Sequence, residues 1–244
     1  MFDHVTMRAS DRDASQRFYE TVLSTLGIEQ TYSSSALAEW NDFSFMVVED
    51  DRPVTRGLHI AFYAASQDLV DEFWRVGTEA GYADDGEPGP RLQYGRDYYG
   101  GFLLDPDGNS AEAVHHERRR GGTIDHLWIR VSDVEASKRF YATVAPHTGF
   151  AFRNDADDPP RAHFAGRDAS LSVVAGDERT ENVHIAFPAS DNATVDAFHR
   201  AATEAGYRDD GAPGERTVYH AGYYGAYVLD PDGNSVEAVN HNRR

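Results

Sequence analysis

The chain contains no cysteine and a single lysine, Lys138, among its 244 residues. Without cysteine, disulfides, zinc–thiolate centres and cysteine nucleophiles are excluded, so any metal has to be held by histidine and carboxylate. No apolar run is long enough to cross a bilayer. The amino-terminal stretch MFDHVTMRAS has no basic region followed by an apolar run, so no secretory signal is read there and a cytoplasmic protein is expected. Positive charge is also scarce: 23 Lys and Arg stand against 41 Asp and Glu, for a net charge of −18. Such a surface repels nucleic acid and anionic lipid, which leaves a small-molecule substrate as the expected partner. With 40% hydrophobic residues, the chain can form one large core or two small ones.

What is present is a repeat. The stretch FDHVTMRASDRDASQRFYETV at residues 2–22 recurs as IDHLWIRVSDVEASKRFYATV at 124–144. GLHIAF at 57–62 recurs as NVHIAF at 182–187, and FLLDPDGNSAEAV at 102–114 as YVLDPDGNSVEAV at 227–239. The order is kept and the offset stays between 122 and 125 residues, so the chain reads as two homologous modules, 1–119 and 120–244. The joint is the basic, glycine-containing run ERRRGG at 117–122. Within each module a fainter repeat links His4 with Phe18-Tyr19 and His59 with Phe73-Trp74, each pattern closing at a glycine, Gly27 or Gly81. The expected class is α+β, with four strand–helix–strands units forming curved mixed sheets and helices on the outer face. Such a chain would be a monomer with an internal pseudo-dimer, or a homodimer.

Alternation predicts a strand over residues 2–9, a helix capped by Ser10 or Asp11 and running to about 26, and short strands over 29–49. A strand at 57–63, a helix at 67–80 and two or three strands within 91–115 follow. DPDG at 105–108 reads as a type I turn joining a hairpin. Side chains alternate along a strand, so Val5 and Met7 face the helix while His4, Thr6 and Arg8 face away. Likewise Leu58, Ile60 and Phe62 form a core face, leaving His59 on the other. If Asp105 faces Asn109 across the turn, Phe102 faces Glu112, and in module 2 Tyr227 faces Glu237.

Each module therefore offers two histidines and a glutamate on the faces turned from the helices: His4, His59 and Glu112, then His126, His184 and Glu237. Two imidazoles and a carboxylate form the facial ligand set that leaves metal positions open for substrate. A strand histidine is more often a half-buried structural residue, and duplication copies structural residues too, so the two modules are not independent witnesses. Which histidine completes which site is left open. His4 can join His59 and Glu112, or His126 can do so if units pair across modules.

These residues resemble the vicinal oxygen chelate superfamily of glyoxalases, bleomycin-resistance proteins and extradiol dioxygenases. The carriers are DHVTM, RFYETVL, HIAF and FLLDPDGNSAEAV, and the likeness spans nearly the whole chain. It implies paired βαβββ units curled into cups that hold a divalent ion (Fe, Mn, Ni, Co or Zn) on His4, His59, Glu112, His126, His184 and Glu237. It also implies an enzyme acting on a small oxygen-rich substrate by bidentate metal chelation and oxyanion stabilisation, of the lyase/isomerase or ring-cleaving dioxygenase type. Arg8 and Arg130, four residues past His4 and His126, are candidates to hold a carboxylate, and Tyr227 to donate a proton. The chain departs from the glyoxalase pattern, since FSFMVV at 43–48 and ASLSVV at 169–174 carry no acid. It departs from the dioxygenase pattern in lacking a histidine in RDASL at 167–171, where His163 or His220 could substitute. The alternative is a metal-free, bleomycin-resistance-like protein that sequesters a planar molecule between aromatic walls, with Trp40, Tyr98, Trp128 and Tyr223 as candidates.

Overall fold

A computed structural model describes residues 1–48, 53–118 and 121–242. Arg119 and Arg120 of the inter-module joint lie outside the described residues. Unit 1 contains β1 (His4–Ala9), α1 (Arg12–Thr25), β2 (Tyr32–Ser33), β3 (Leu37–Trp40) and β4 (Phe43–Val47). Unit 2 contains β5 (Leu58–Tyr63), α2 (Gln67–Glu79), β6 (Ala83–Pro90), β7 (Tyr99–Leu104) and β8 (Ser110–His115). Unit 3 contains β9 (Ile124–Val131), α3 (Val134–Val144), β10 (Ala151–Asp157), β11 (Pro160–Ala165) and β12 (Ser170–Ala175). Unit 4 contains β13 (His184–Pro188), α4 (Asn192–Glu204), β14 (Asp209–Glu215), β15 (Tyr224–Leu229) and β16 (Ser235–Asn240).

The helices begin where a side-chain oxygen can accept a free backbone N–H. Asp11, Ser66, Asp133 and Asp191 each accept from the amide three residues on. Gly27 and Gly81, at φ +72° and +91°, follow α1 and α2 in the left-handed region that ends helices. Along α1, Phe18, Tyr19, Val22 and Leu23 are buried, and the helices pack in pairs within each module, α1 on α2 and α3 on α4.

The strands form two mixed eight-stranded sheets that cross the module boundary. One runs β14-β15-β16-β13-β1-β4-β3-β2 and joins units 4 and 1, while the other runs β10-β11-β12-β9-β5-β8-β7-β6 and joins units 3 and 2. At each centre the first strands of the two units pair antiparallel, β1 with β13 and β5 with β9. The units therefore pair across modules, which decides the question the sequence left open. One hydrophobic cluster draws on all four units.

One element lies elsewhere than the sequence reading put it. The strand before the last hairpin is β6, at Ala83–Pro90, and 91–98 is a loop. Its ADDGEPGP sequence has poor strand propensity, but β6 is a bulged edge strand, where proline and glycine are tolerated. Among the described residues, no helix is long and apolar enough to cross a membrane.

Candidate metal centres

In the sheet of units 2 and 3, Ala61 pairs with Glu112 on one side and with His126 on the other. His59, two residues before Ala61, lies on the same face. Because Ala61 is small and fully buried, the three longer side chains converge above it. Ala186 plays the same part in the other sheet, between His4 and Glu237 and two residues past His184. The alanine of each HIAF motif thus makes room for the donors. The structure assembles all six sequence-predicted ligands, as His59/Glu112/His126 (cup 1) and His4/His184/Glu237 (cup 2). Each trio's donor atoms lie within 4.8 Å of one another.

The spacings suit a divalent ion. Two donors about 2.1 Å from an ion are about 3.0 Å apart at a right angle and about 3.4 Å apart at the tetrahedral angle. In cup 1, Glu112 Oε2 is 2.9 Å from His59 Nε2 and 3.4 Å from His126 Nε2. In cup 2, Glu237 Oε2 is 3.0 Å from His184 Nε2 and 3.6 Å from His4 Nε2, and the two Nε2 atoms are 3.2 Å apart.

The surroundings aim these donors inward. His59 Nδ1 lies 3.1 Å from Ser110 Oγ, and His184 Nδ1 lies 3.2 Å from Ser235 Oγ. His126 Nδ1 faces Asp125 Oδ1 at 2.9 Å, and His4 Nδ1 faces Asp3 Oδ1 at 2.8 Å. A carboxylate at Nδ1 holds a proton there and leaves the Nε2 lone pair for a metal. Tyr98 donates its hydroxyl to Glu112 Oε1 at 2.7 Å, and Tyr223 to Glu237 Oε1 at 2.8 Å. Each glutamate thereby spends one oxygen on a tyrosine and turns the other to the imidazoles. Gly100 and Gly225 complete the cradle, because a methyl group at either would overlap the glutamate Oε1.

The charges follow from these contacts. Burial alone would raise the Glu112 carboxyl, but hydrogen bonds from His126 and His59 overcome it and bring its pKa to about 2. Burial opposes charge on His126 too, yet Asp125 and Glu112 lift its pKa to about 9. Asp3 raises His4 against burial in the same way. His184 moves down, because burial and its charged neighbours outweigh Glu237. Burial beside a carboxylate pushes the Tyr98, Tyr223 and Tyr227 hydroxyls up, so all three stay protonated donors at neutral pH.

Each cup has an approximate twofold relation that exchanges its two units. In cup 1 it carries His59 onto His126 and Glu112 onto Ser172, because Ala61 pairs with Glu112 as Trp128 pairs with Ser172. Ser44 holds that place in cup 2, beside Thr6. The strands without an acid therefore put serine at the potential fourth ligand position. Ser172 Oγ contacts His163 Nδ1 at 3.0 Å, and Ser44 Oγ contacts Thr6 Oγ1 at 2.8 Å.

The remaining candidates fall as follows. Tyr227 pairs with Glu237 as the hairpin register predicts, with its ring 6.0 Å from His184 in cup 2. Arg130 lines cup 1 while donating to Gly57 O, and the charge of Arg8 acts on His184 in cup 2. Neither substitute histidine belongs to a donor trio among the described residues: His163 contacts Ser172, and His220 contacts His241. Trp40 lies in the hydrophobic core at 1% exposure and walls neither cup, because α1 and β4 pack over its ring. The sequence reading gave Tyr98 and Tyr223 only as aromatic walls and missed Asp3, Asp125, Ser110, Ser235, Gly100 and Gly225. The signals were there, in DH before each first strand and YYG before each last hairpin.

A family model described as the Glyoxalase/Bleomycin resistance protein/Dioxygenase superfamily matches residues 1–113 and again 123–238. Glyoxalase I from Zea mays superposes with a TM-score of 0.69 at 20% identity, covering 98% of this chain and 92% of that one. A protein of Bacillus subtilis, provisionally described as a dioxygenase, gives 0.66 at 13% identity over 99% and 85%. At these identities the likeness is one of fold. Among curated proteins, none matches the chain.

Proposed function

Since the chain belongs to the glyoxalase/bleomycin resistance/dioxygenase superfamily, we propose that it is a divalent-metal enzyme with two centres, each built from both modules. The modules are taken as 1–119 and 120–244, and the ligands as His59, Glu112 and His126 in one cup and His4, His184 and Glu237 in the other. The observation that carries this reading is that the Nδ1 of every one of the four histidines faces a serine or aspartate oxygen while its Nε2 turns to the glutamate of its own cup. A bound ion (Fe, Mn, Ni, Co or Zn) would act as a Lewis acid on two neighbouring substrate oxygens and stabilise an oxyanion. The chain's own residues do the rest. Tyr98 and Tyr223 hold the glutamates in a one-oxygen pose, and Asp125 and Asp3 keep a proton on Nδ1. Arg130 and Arg8 lie where they can hold an anionic substituent, and Tyr227 can donate to a developing oxyanion in cup 2.

The test is metal content after purification without chelator. Two ions per chain are expected, and His59→Ala and His184→Ala should each remove one. If neither variant lowers the metal content, these ligand assignments are wrong. Oxygen uptake with a catechol under Fe(II) would assign ring cleavage, and its absence the isomerase or lyase branch.

A further inference from the structure

The two cups share their ligands but differ in their walls. Where cup 1 has Trp128, cup 2 has Thr6 at the equivalent pairing position, opposite the mid-module histidine. His163 and Glu39 hold equivalent places beside Ser172 and Ser44, and two residues earlier Arg161 answers to Leu37. Cup 1 opens into a cavity of about 310 Å³. Two aromatic side chains line it, Trp128 and Phe102, each with its ring 5.9 Å from the His59 ring. Arg91 and Arg130 line the cavity, the Arg91 guanidinium 5.2 Å over Phe102, and Arg161, paired with the lining residue Val174, has its guanidinium 5.4 Å over Trp128. Asp85, exposed, is the acid lining it besides Glu112. In a chain of net charge −18, this is a local concentration of cation over flat apolar surface. Cup 2 keeps counterparts of two of these cations, Arg216 with its guanidinium 5.5 Å over Tyr227 and Arg8, but it has Leu37 where cup 1 has Arg161 and carries Glu39, whose charge acts on His4.

We propose that cup 1 takes a planar aromatic carboxylate bearing two adjacent oxygens, and that Arg161 and Trp128 confer this preference. The ring fits between Trp128 and Phe102, and the carboxylate meets the Arg161 side of the cup. Cup 2 disfavours the same anion through Glu39. The adjacent oxygens rest on the metal reading above, whereas the ring and the anion do not.

The test is calorimetric binding of 2,3-dihydroxybenzoate and of catechol to the Mn(II)-loaded chain, with metal content measured on the same samples. The carboxylate should tighten binding by about tenfold or more. The double variant Arg161→Leu/Trp128→Thr, which gives cup 1 the residues of cup 2, should bring the two ligands within about threefold while keeping its metal. Equal binding of both ligands by the unmodified chain, or an undiminished preference in the double variant, overturns the proposal and leaves the metal reading standing. If the chain takes up no metal, the metal reading fails, and benzoate then tests the ring and anion alone. Benzoate binding to the metal-free chain that weakens about tenfold in the double variant supports the proposal, and no such binding overturns it.

Discussion

The two cups match in their donors and in the serine, aspartate and tyrosine that support them, apart from Tyr227 beside Glu237 where cup 1 has Phe102, and they diverge further one step out. In cup 2, Asp3 passes from His4 to His241 Nε2 at 2.9 Å, and His241 Nδ1 meets His220 Nε2 at 2.9 Å, the two rings stacked 5.1 Å apart. In cup 1, Asp125 passes from His126 to His116 Nε2 at 2.7 Å, and among the described residues His116 passes it no further. The Nδ1 of His116 is buried without a hydrogen-bond partner among the described residues. Gly95 stands where cup 2 has His220, and Tyr63, where cup 2 has Pro188, packs 5.7 Å from the His116 ring. Duplication has thus kept the donors and their direct supports in both cups while the outer support and the walls changed. The difference teaches that the donor geometry is common to both cups, whereas the surroundings that would select what is bound beside it are not.

Three comparisons would break or sharpen that view, each read as metal affinity per cup by titration. The largest effect is expected from Gly100→Ala or Gly225→Ala. Either methyl overlaps the glutamate Oε1 and forces the ligand aside, so affinity should fall about 100-fold or more in that cup and stay unchanged in the other. Loss in both cups would mean the centres are coupled through the sheets. Next, Tyr98→Phe and Tyr223→Phe each remove a hydroxyl from a buried carboxylate and should cost about 10–100-fold in their own cup, to a similar extent. Unequal losses would show that the inner supports have diverged as well. A smaller effect is expected further out. His220→Ala should weaken cup 2 by a few-fold, below the roughly tenfold cost of losing a direct partner. Gly95→His, which has room for a Cβ at ordinary contact distance, should strengthen cup 1 by giving His116 Nδ1 its missing partner. No change from either substitution would reduce the outer chain to packing.

Much of this was legible in the sequence because the reading needed only local periodicity. Alternation put His4, His59 and Glu112 on faces turned from the helices, and turn chemistry set Phe102 opposite Glu112 and Tyr227 opposite Glu237, as observed. Pairing across modules was not legible, because it depends on which edges meet in space and each first strand is equally able to pair with either partner. Tyr98 and Tyr223 were hidden because they reach the glutamates from the loop before the hairpin, where no period constrains side-chain direction. DPDGNS also proved more than turn chemistry. Asp105 accepts from the Asp107 and Asn109 amides, fully buried Asn109 ties Leu58 N to Thr55 O, and Ser110 supports His59.

That buried turn provides the smallest test of how alike the halves remain. Tyr19 on α1 donates to Asp105 Oδ2 at 2.9 Å, while its counterpart Tyr141 on α3 reaches Asp230 Oδ2 at 3.4 Å, at the limit of a useful bond. All four side chains are buried, and removing a hydroxyl leaves the carboxylate Oδ2 with one donor fewer, the Asn109 or Asn234 side-chain amide remaining. Tyr19→Phe should therefore cost about 1–2 kcal/mol, and Tyr141→Phe, which gives up a weaker bond, about 1 kcal/mol or less. For a chain of this size, about 1 kcal/mol corresponds to about 2–4 °C in melting temperature. The two variants should differ by a few degrees by calorimetry, with Tyr19→Phe the lower. If they melt together, the two turns are energetically equivalent and the divergence of the halves is confined to the cups.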